Sequence, residues 1–507
     1  MKVSISILLL LVLGVAPVSA EQKTVLKCGK LIDVETQKVQ LKQMITIENQ
    51  RISAIRSGDH YEGDAKVVDL SDYTCLPGLI DMHVHLMVEV SPNYELEKIT
   101  LGAPDLALLA ARNAELTLMA GFTTVRDLGD RADVTVALRK AIAKGFVKGP
   151  RVFTSGIPLS STGGHDDPTN GYRAGMRRDP GPVEGIVNSA ADARKAVRQR
   201  YKNGADLIKI SATGGVMSQA KSGQNTQFFK EELDAIVATA KAYGFKVAAH
   251  AHGVEGMRLA IRAGVASIEH GSLMDADTMR LMKKHGTYLV PTILAGNFVS
   301  EKAKIDGYFP DIVRPKAAAI GPKIQDTFGR AYKAGVKIAF GTDTGVSAHG
   351  DNAQEFSLMV EAGMPPMEAI VSATKSAADL LGESDRLGVV RRADTRHFSG
   401  TFPGRLKADR LLSQQRHARP RKPHPRRLGR GRPAQPLGGP VRAQPQRPRR
   451  RRARHRQRRP HQPRGTPRRH KAKRRRQRSV AGPEREPGHP DRRVRGANRA
   501  NLRAVEY

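Results

Sequence analysis

Two histidines separated by a single residue, His83 and His85, follow a Pro-Gly turn and an apolar run that starts at Leu79. On a β-strand, side chains two positions apart point to the same face, so both imidazoles face the same way. Neutral imidazole is a common protein ligand for zinc-like metals. The pair therefore predicts a metal site at the end of a strand, although partly buried structural histidines also occur in such pairs.

Further ligand-type residues stand at the ends of later apolar runs: Lys209, His250, His270 and Asp343. A lysine inside an apolar run is disfavoured by desolvation. Either its stem reaches the surface, or carbon dioxide carboxylates the amine, giving a carbamate that can bridge two cations. The candidates lie at the ends of predicted strands one, four, five, six and eight, where barrels gather ligands, so they predict one shared metal site.

The elements that must position these residues alternate between short apolar runs and longer amphipathic stretches. Eight candidate strands can be read from the sequence: Leu79–Val84, Thr123–Arg126, Arg151–Ser155, Leu207–Ile210, Lys246–His250, Ser267–His270, Tyr288–Pro291 and Lys337–Gly341. Helical periodicity marks Asp105–Met119, Glu231–Ala242, Val254–Ala263 and a last helix, Pro366–Leu381. This α/β pattern predicts a (β/α)8 TIM barrel over residues 78–390. A doubly wound open sheet is the alternative, but no glycine-rich dinucleotide motif follows an early strand.

Residues 21–77 carry short alternating or β-branched runs between turn residues, which predicts a small β-sandwich-like domain. The runs are Val25–Cys28, Met44–Glu48, Ile52–Ile55 and Lys66–Asp69. Cys28 and Cys75, the two cysteines of the chain, both lie in this segment. They either pair in an oxidising compartment or stay unrelated thiols, because spacing does not show whether their Cα atoms are close.

Residues 1–20 have the features of a signal peptide. Lys2 supplies the positive start, Ile5–Val15 is largely apolar, and Val18-Ser19-Ala20 offers small residues for cleavage. The apolar run is short for a membrane-spanning helix, so we expect no stable membrane insertion; an uncleaved anchor is the alternative. The pattern predicts export to a periplasm or secretion.

The formal net charge of +36 is concentrated in residues 391–507, which carry +33 of it and 15 of the 30 prolines. The catalytic part is therefore nearly neutral. The tail has little aliphatic periodicity, and its composition predicts disorder. An arginine-rich arm that binds an anionic polymer is the non-enzyme interpretation. We expect no nucleic acid as partner, because the protein is predicted to be exported and the tail lacks interleaved aromatic residues.

The order His-x-His, Lys, His, His, Asp resembles the amidohydrolase superfamily, in its binuclear subtype with a bridging carboxylated lysine. The wider motifs look like the Xaa-Pro dipeptidase and imidazolonepropionase-like branch, over about residues 22–390. They are Pro-Gly-Leu-Ile-Asp-Met-His-Val-His at 77–85, Ala-Gly-Phe-Thr-Thr-Val-Arg-Asp at 120–127, Ser-Thr-Gly-Gly-His at 161–165, Ile-Lys-Ile-Ser-Ala-Thr-Gly-Gly at 208–215 and Gly-Thr-Asp-Thr-Gly at 341–345.

The resemblance implies two divalent metal ions, usually zinc. One would be held by His83, His85 and Asp343, the other by His250 and His270, with carboxylated Lys209 bridging both. Asp343 is also the expected general base.

Three further histidines are candidates for substrate contact: His165, His252 and His349. His252 lies two residues after His250, so it could also be the true metal ligand. His165 and His349 lie on predicted loops after strands three and eight, and a solvated loop histidine is the alternative for each.

The predicted reaction is hydrolysis of a C–N amide bond in a dipeptide, of Xaa-Pro or Xaa-Arg/Lys type, or in an N-acyl amino acid. Hydrolysis of a cyclic amide, as in imidazolonepropionase, is the alternative. The partner is then a small molecule, and a homo-oligomer is left open.

One departure from the family pattern follows the segment Asp385-Arg386-Leu387-Gly388. Family members continue with a strand that returns to the N-terminal β-domain and completes it. In this chain the sequence instead becomes rich in Arg, Pro, Gly, Ala, Gln and His. GC-rich DNA encodes this composition when it is translated out of frame. We therefore predict a frameshift near residue 390, which would leave the β-domain with unpaired strand edges.

Overall fold

The structure, a computed structural model, describes residues 23–393. The predicted signal peptide, residues 1–20, and the predicted disordered tail, residues 391–507, lie outside the described residues except for residues 391–393, so both stay predictions. The first four strands are β1 Lys23–Asp33, β2 Lys38–Glu48, β3 Arg51–Ser57 and β4 Lys66–Cys75. They form one sheet in the order β3-β2-β1-β4, with β4 parallel to β1 and the other pairs antiparallel. The part of this domain that the structure describes is a single layer.

The small sheet has its own apolar core, which is centred on the buried residues Cys28, Leu31 and Ile45. Cys28 in β1 forms a disulfide with Cys75 at the end of β4, with their Cα atoms 6.0 Å apart. The structure therefore favours pairing over two unrelated thiols.

The barrel strands follow in chain order. They are β5 Leu79–Val84, β6 Phe122–Asp127, β7 Arg151–Thr154, β8 Ile208–Ser211, β9 Val247–Ala251, β10 Ser267–His270 and β11 Tyr288–Val290. β5-β6-β7 form one parallel ladder and β8-β9-β10-β11 another. All seven positions match the predicted strands to within two residues.

The eighth predicted strand, Lys337–Gly341, lies between β11 and β5 without a regular ladder. The Ala339 N–H donates to the Leu289 carbonyl at 3.0 Å, and the Met82 N–H donates to the Phe340 carbonyl at 2.9 Å. A parallel bridge between Leu159 and Ile210 joins the two ladders at the opposite seam. The ring is therefore complete, and the predicted (β/α)8 barrel is confirmed.

Twelve helices accompany the strands within residues 23–393. They are α1 Tyr94–Thr100, α2 Ala103–Met119, α3 Val134–Ala143, α4 Ala190–Asn203, α5 Lys230–Ala242, α6 Val254–Ala263, α7 Ala276–His285, α8 Ile293–Lys302, α9 Arg314–Lys333, α10 Gln354–Glu361, α11 Pro366–Ser372 and α12 Lys375–Leu381. The main apolar core lies between these helices and the strands. None of the helices in this part of the chain is long and apolar enough to cross a membrane.

The single helix predicted over Pro366–Leu381 is wrong: the structure breaks it at Ala373 and Thr374. The Ser372 carbonyl accepts from the Phe340 N–H at 3.1 Å, and the Ala373 carbonyl accepts from the Ile80 N–H at 2.7 Å. Carbonyls diverted to neighbouring barrel segments cannot continue the helical ladder, so periodicity alone missed the break.

After α12 the chain returns to the small sheet. Val390 packs against its core, and the Ala393 N–H donates to the Ile52 carbonyl on the outer edge of β3 at 2.9 Å. This hydrogen bond attaches the last described residue to β3. The predicted frameshift concerns the residues that follow.

Candidate metal centre

The first group of candidate ligands lies where β5 ends and the segment after the eighth barrel position begins. Asp343 Oδ1 lies 3.4 Å from His83 Nε2 and 3.2 Å from His85 Nε2. The Asp343 backbone N–H donates to the His83 carbonyl at 2.7 Å, which fixes this approach. His83 Nε2 and Asp343 Oδ1 are buried and have no hydrogen-bond partner within the described residues. Buried polar atoms left unpaired are costly, and a cation between them would satisfy both, so these residues fit a metal ion.

The orientation of His83 is set from behind by a buried carboxylate. His83 Nδ1 lies 3.0 Å from Glu269 Oε2. A carboxylate accepts, so Nδ1 carries the proton and Nε2 keeps its lone pair for the Asp343 side. Glu269 is in turn held by Arg126, whose guanidinium donates to Glu269 Oε1 at 2.8 Å and to the Met82 carbonyl at 2.6 Å. This arrangement is the outer shell that metal-binding histidines usually have.

A second group is formed by His250, His252 and His270, whose ligand atoms lie within 4.8 Å of one another. His270 belongs equally to a group with His83 and Asp343, so it lies between the two clusters. His250 Nε2 donates to the Gly214 carbonyl at 3.2 Å, which leaves Nδ1 with the lone pair. His252 Nδ1 lies 2.8 Å from the Ser272 hydroxyl. Both His250 and His252 are within reach of the same cation, so the two alternatives remain open.

Lys209 lies in β8 and is 4% exposed. Within the described residues no carboxylate lies at ion-pairing distance from its amine. Burial lowers the pKa of Lys209, against the attraction of Glu269, Asp166 and Asp343. The Lys209 charge adds to burial in lowering the pKa values of His83 and His270.

Electrostatics and backbone conformation both single out Asp343. Burial acts to raise the pKa of Asp343, but the attraction of His83 and His85 outweighs it and lowers the pKa below its ordinary value. Asp343 has a φ of 60° and His270 a φ of 68°, in the left-handed region that non-glycine residues seldom adopt. Thr292, whose hydroxyl lies 2.8 Å from His270 Nδ1, shares this conformation with a φ of 54°. Such backbone strain concentrates at functional sites.

The two histidines predicted to lie on loops, His165 and His349, have different surroundings in the structure. The ring of His165 stacks on that of His250, with centroids 4.3 Å apart, and its buried Nδ1 has no partner among the described residues. A Cβ at Gly215 would come within 2.2 Å of this ring, so only glycine admits it there. His165 is therefore part of the site.

His349 lies against the loop that follows His85, and its role as a substrate contact stays a prediction. His349 Nε2 donates to the Val88 carbonyl at 3.0 Å, and Nδ1 lies 3.5 Å from the Thr117 hydroxyl. With both ring nitrogens engaged by the protein and 6% of the residue exposed, His349 holds the loop after β5.

Sequence reasoning missed the residues behind the ligands: Arg126, Glu269, Ser272 and Thr292. Two of them left a readable signal. Arg126 and Glu269 are opposite charges inside strand-like runs, and such charges are seldom buried unless they pair with each other.

Histidines, one aspartate and a buried lysine thus gather at the carboxyl ends of the (β/α)8 barrel strands, a set of ligand types that could hold divalent metal ions. The chain belongs to the amidohydrolase family, whose model matches residues 74–392.

Two solved structures and one curated relative illustrate the similarity. A crystal structure of a Xaa-Pro dipeptidase with bound methionine in the active site is 52% identical, with a TM-score of 0.72, over 74% of this chain and 92% of that one. A prolidase complexed with N-methylphosphonate-L-proline is 31% identical, with a TM-score of 0.67, over 73% and 90%. Ochratoxinase from Aspergillus niger is 36% identical over 323 residues, 60% of this chain and 64% of that protein. This chain thus spans less than two thirds of the length of that relative.

Proposed function

We propose that this protein is an exported, binuclear metal amidohydrolase that cleaves the amide bond of a dipeptide or an N-acyl amino acid. The observation that carries the proposal is that two buried atoms, His83 Nε2 and Asp343 Oδ1, lie 3.4 Å apart without a hydrogen bond in the described residues. A second cluster of histidines that shares His270 lies beside them. His83, His85 and Asp343 would hold one divalent ion, and His250 and His270 the other. Bound there, two zinc ions would supply a hydroxide at neutral pH and polarise the scissile carbonyl.

The protein's own groups then handle the proton and the substrate. Asp343 Oδ1 would accept the proton of the attacking water and deliver it to the leaving nitrogen, because an amine leaves only once it is protonated. His165 and His252 lie beside the ligands and would contact the substrate, with His252 as the alternative ligand to His250.

Lys209 would act as a bridging carbamate. The ammonium first loses a proton to solvent; the neutral amine then attacks carbon dioxide, a C–N bond forms, and a second proton leaves to solvent, so the cation becomes an anion. Burial of Lys209 and the lack of an acidic neighbour at ion-pairing distance in the described residues support this step. Histidine ligands are neutral, so two divalent cations here would have little compensating negative charge. A carbamate at Lys209 would supply some of it.

The substrate class is supported by the relatives. Two of them are a Xaa-Pro dipeptidase and a prolidase, and the third is an ochratoxinase. Export is supported by the sequence of residues 1–20 and by the Cys28–Cys75 disulfide, since such bonds persist mainly in oxidising compartments. Cell fractionation that finds the mature chain only in the cytoplasm would contradict the export.

The first experiment is elemental analysis of the full chain produced with zinc and bicarbonate. We expect about two zinc ions per soluble chain and a sharp decrease in Lys209→Ala. Lys284→Ala, an exposed lysine, is the matched control and should bind the same amount. A well-folded protein without metal contradicts the proposal.

The second experiment is a substrate panel with the zinc-loaded protein. It compares Xaa-Pro and Xaa-Arg dipeptides, N-acetyl amino acids and the cyclic amide imidazolone propionate. Turnover of the open-chain amides alone is expected, and Asp343→Asn should abolish it. Turnover of the cyclic amide alone would replace the proposed substrate class with the alternative one.

A further inference from the structure

Two fully buried polar residues at the start of α10, Asn352 and Glu355, have no part in the chemistry above. Asn352 stands just before α10 and Glu355 in its first turn, and the Glu355 N–H donates to the Asn352 carbonyl at 3.2 Å. Buried polar side chains are costly unless they are hydrogen-bonded, so their partners show what they stabilise.

Asn352 is bonded to the residues on both sides of Asp343. Its side-chain amide donates to the Thr344 hydroxyl at 2.9 Å and to Asp81 Oδ2 at 2.8 Å. The same Asp81 oxygen accepts from the Thr342 hydroxyl at 2.7 Å. The Thr344 N–H donates to the Thr342 hydroxyl at 3.0 Å. Asp343 therefore lies between two threonines whose hydroxyls belong to one buried network.

Asp81 extends this network to the first ligand strand. Its other oxygen, Oδ1, accepts from the His83 N–H and from the Thr342 N–H, each at 3.1 Å. The backbone segments that carry His83 and Asp343 are thus joined behind their side chains. The amide of Asn352 is the group that attaches this junction to α10.

Glu355 supplies the N-terminal cap of α8 from a different helix. Its Oε1 accepts from the Ile293 N–H at 2.9 Å and its Oε2 from the Leu294 N–H at 2.7 Å. The N-cap residue of α8 is Thr292, a residue type that commonly caps a helix with its own hydroxyl. Here that hydroxyl makes no cap bond and lies 2.8 Å from His270 Nδ1. The cap from Glu355 therefore leaves the Thr292 hydroxyl available to orient His270.

We propose that Asn352 and Glu355 are positioning residues for the metal centre. Asn352 holds the backbone at Asp343. Glu355 holds the backbone at Thr292 and thereby the orientation of His270. The φ angles of 60° at Asp343 and 54° at Thr292 are left-handed, and non-glycine residues keep this conformation only where their surroundings enforce it. The inference rests on the proposed function, because the groups it positions are the proposed metal ligands.

The first test is zinc competition with a chelator on the full chain. Asn352→Ala and Glu355→Ala should each weaken zinc binding by about 10–100-fold, the usual effect of losing a group that orients a metal ligand. Asn203→Ala and Glu232→Ala are the matched controls. Asn203 donates to a carboxylate at the end of α4, and Glu232 accepts a backbone N–H at the start of α5. The controls should bind zinc as the wild type does, even where urea unfolding shows an equal loss of stability.

Milder variants test the route through the threonines. Thr344→Val and Thr292→Val each remove one hydroxyl and should weaken zinc binding, whereas Thr344→Ser and Thr292→Ser keep the hydroxyl and should retain it. Combining Asn352→Ala with Thr344→Val should weaken zinc binding no further than the stronger single variant, because both changes break one link. The same holds for Glu355→Ala with Thr292→Val.

Hydrogen exchange of the metal-free protein gives a readout that needs no metal. The Asp343 N–H donates to the His83 carbonyl at 2.7 Å, and the Val346 N–H donates to the Asp343 carbonyl at 2.9 Å. Both amides should exchange faster in Asn352→Ala than in the wild type or in Asn203→Ala, because local opening exposes them once the backbone is released.

Wild-type zinc affinity in folded Asn352→Ala or Glu355→Ala overturns the inference, and so does an equal loss in the controls or an additive loss in the combined variants. Where an alanine variant does not fold, Thr344→Val and Thr292→Val decide the same question. A wild type that binds no zinc refutes the proposed metal centre instead. Hydrogen exchange then decides: faster exchange confined to residues 342–346 in Asn352→Ala upholds the inference, and unchanged exchange overturns it.

Discussion

Replacing Glu269 with glutamine should separate two roles of the carboxylate behind His83. Glu269 is fully buried and joins the Arg126 guanidinium to His83 Nδ1, at 2.8 and 3.0 Å. Glutamine is nearly isosteric but neutral, and its single amide oxygen cannot replace both carboxylate oxygens. Arg126 then becomes an uncompensated buried cation, and the N–H of His83 loses its ionised acceptor.

Each loss has its own magnitude. Removing one partner of a buried ion pair costs about 3–5 kcal/mol of unfolding free energy. Loss of the group that orients a metal-binding histidine reduces metal affinity by about 10–100-fold. We expect Glu269→Gln to show both effects, measured by urea unfolding of the metal-free protein and by zinc competition with a chelator.

The double variant Arg126→Met with Glu269→Leu distinguishes the two roles. It removes both charges, so much of the lost unfolding free energy should return. It offers His83 no acceptor, so zinc affinity should stay low. Wild-type zinc affinity in either folded variant would refute the reasoning, because His83 would then bind metal without help from Glu269.

Three further predictions concern other parts of the chain. The double variant Cys28→Ala with Cys75→Ala opens a loop with a sequence separation of 47, so its unfolding free energy should be about 2–4 kcal/mol lower than that of oxidised wild type. Denaturant unfolding measures this loss, and reduced wild type is the control that should resemble the variant. Burial raises the pKa of Glu355 from its ordinary value of 4.5 to about 8. Between pH 4.5 and pH 8 the folded protein therefore keeps a proton on Glu355 that the unfolded chain has lost. The unfolding free energy of the metal-free protein should therefore fall as the pH rises through this range, by up to about 1.4 kcal/mol per pH unit. An equally steep fall in the unfolding free energy of Glu355→Gln would contradict this. Resequencing the gene around codon 390 should reveal an inserted or deleted base, and a coding region without any alternative frame that encodes β-like runs would reject the frameshift.

Local patterns in the sequence predicted the barrel well because each strand is a short apolar run with a distinct boundary. Leu79–Val84 was predicted to the residue, since a buried parallel strand favours apolar residues on both faces. Ser267–His270 was also predicted to the residue, although Ile268 is its one apolar side chain. The apolar pattern of Lys337–Gly341 also predicts a strand, but its hydrogen-bond ladder is irregular. The regularity of a ladder depends on the neighbouring segments, which the residues of Lys337–Gly341 do not encode. The break at Ala373 likewise depends on a distant partner, the Ile80 N–H.

The sequence brought together the candidate ligands but not the residues behind them. His83, His85, His270 and Asp343 stand at strand ends, so their meeting follows from the barrel itself. His349 stands at an equivalent place in the sequence, yet its ring turns to Val88, because side-chain direction after a loop is set by contacts that spacing does not encode. The link from Glu269 to His83 joins residues of different strands across the interior, which no local pattern reveals.

The left-handed backbone at His270, Thr292 and Asp343 has a consequence for anyone who wishes to reuse this scaffold. Each of these residues gives up on the order of 1 kcal/mol or more of conformational free energy to hold its φ. Thr292 is β-branched and is the least tolerant of this conformation. Loops transplanted onto the barrel for a new substrate must reproduce these three backbone angles as well as the ligand side chains. Libraries should therefore diversify the residues around them and leave these positions fixed.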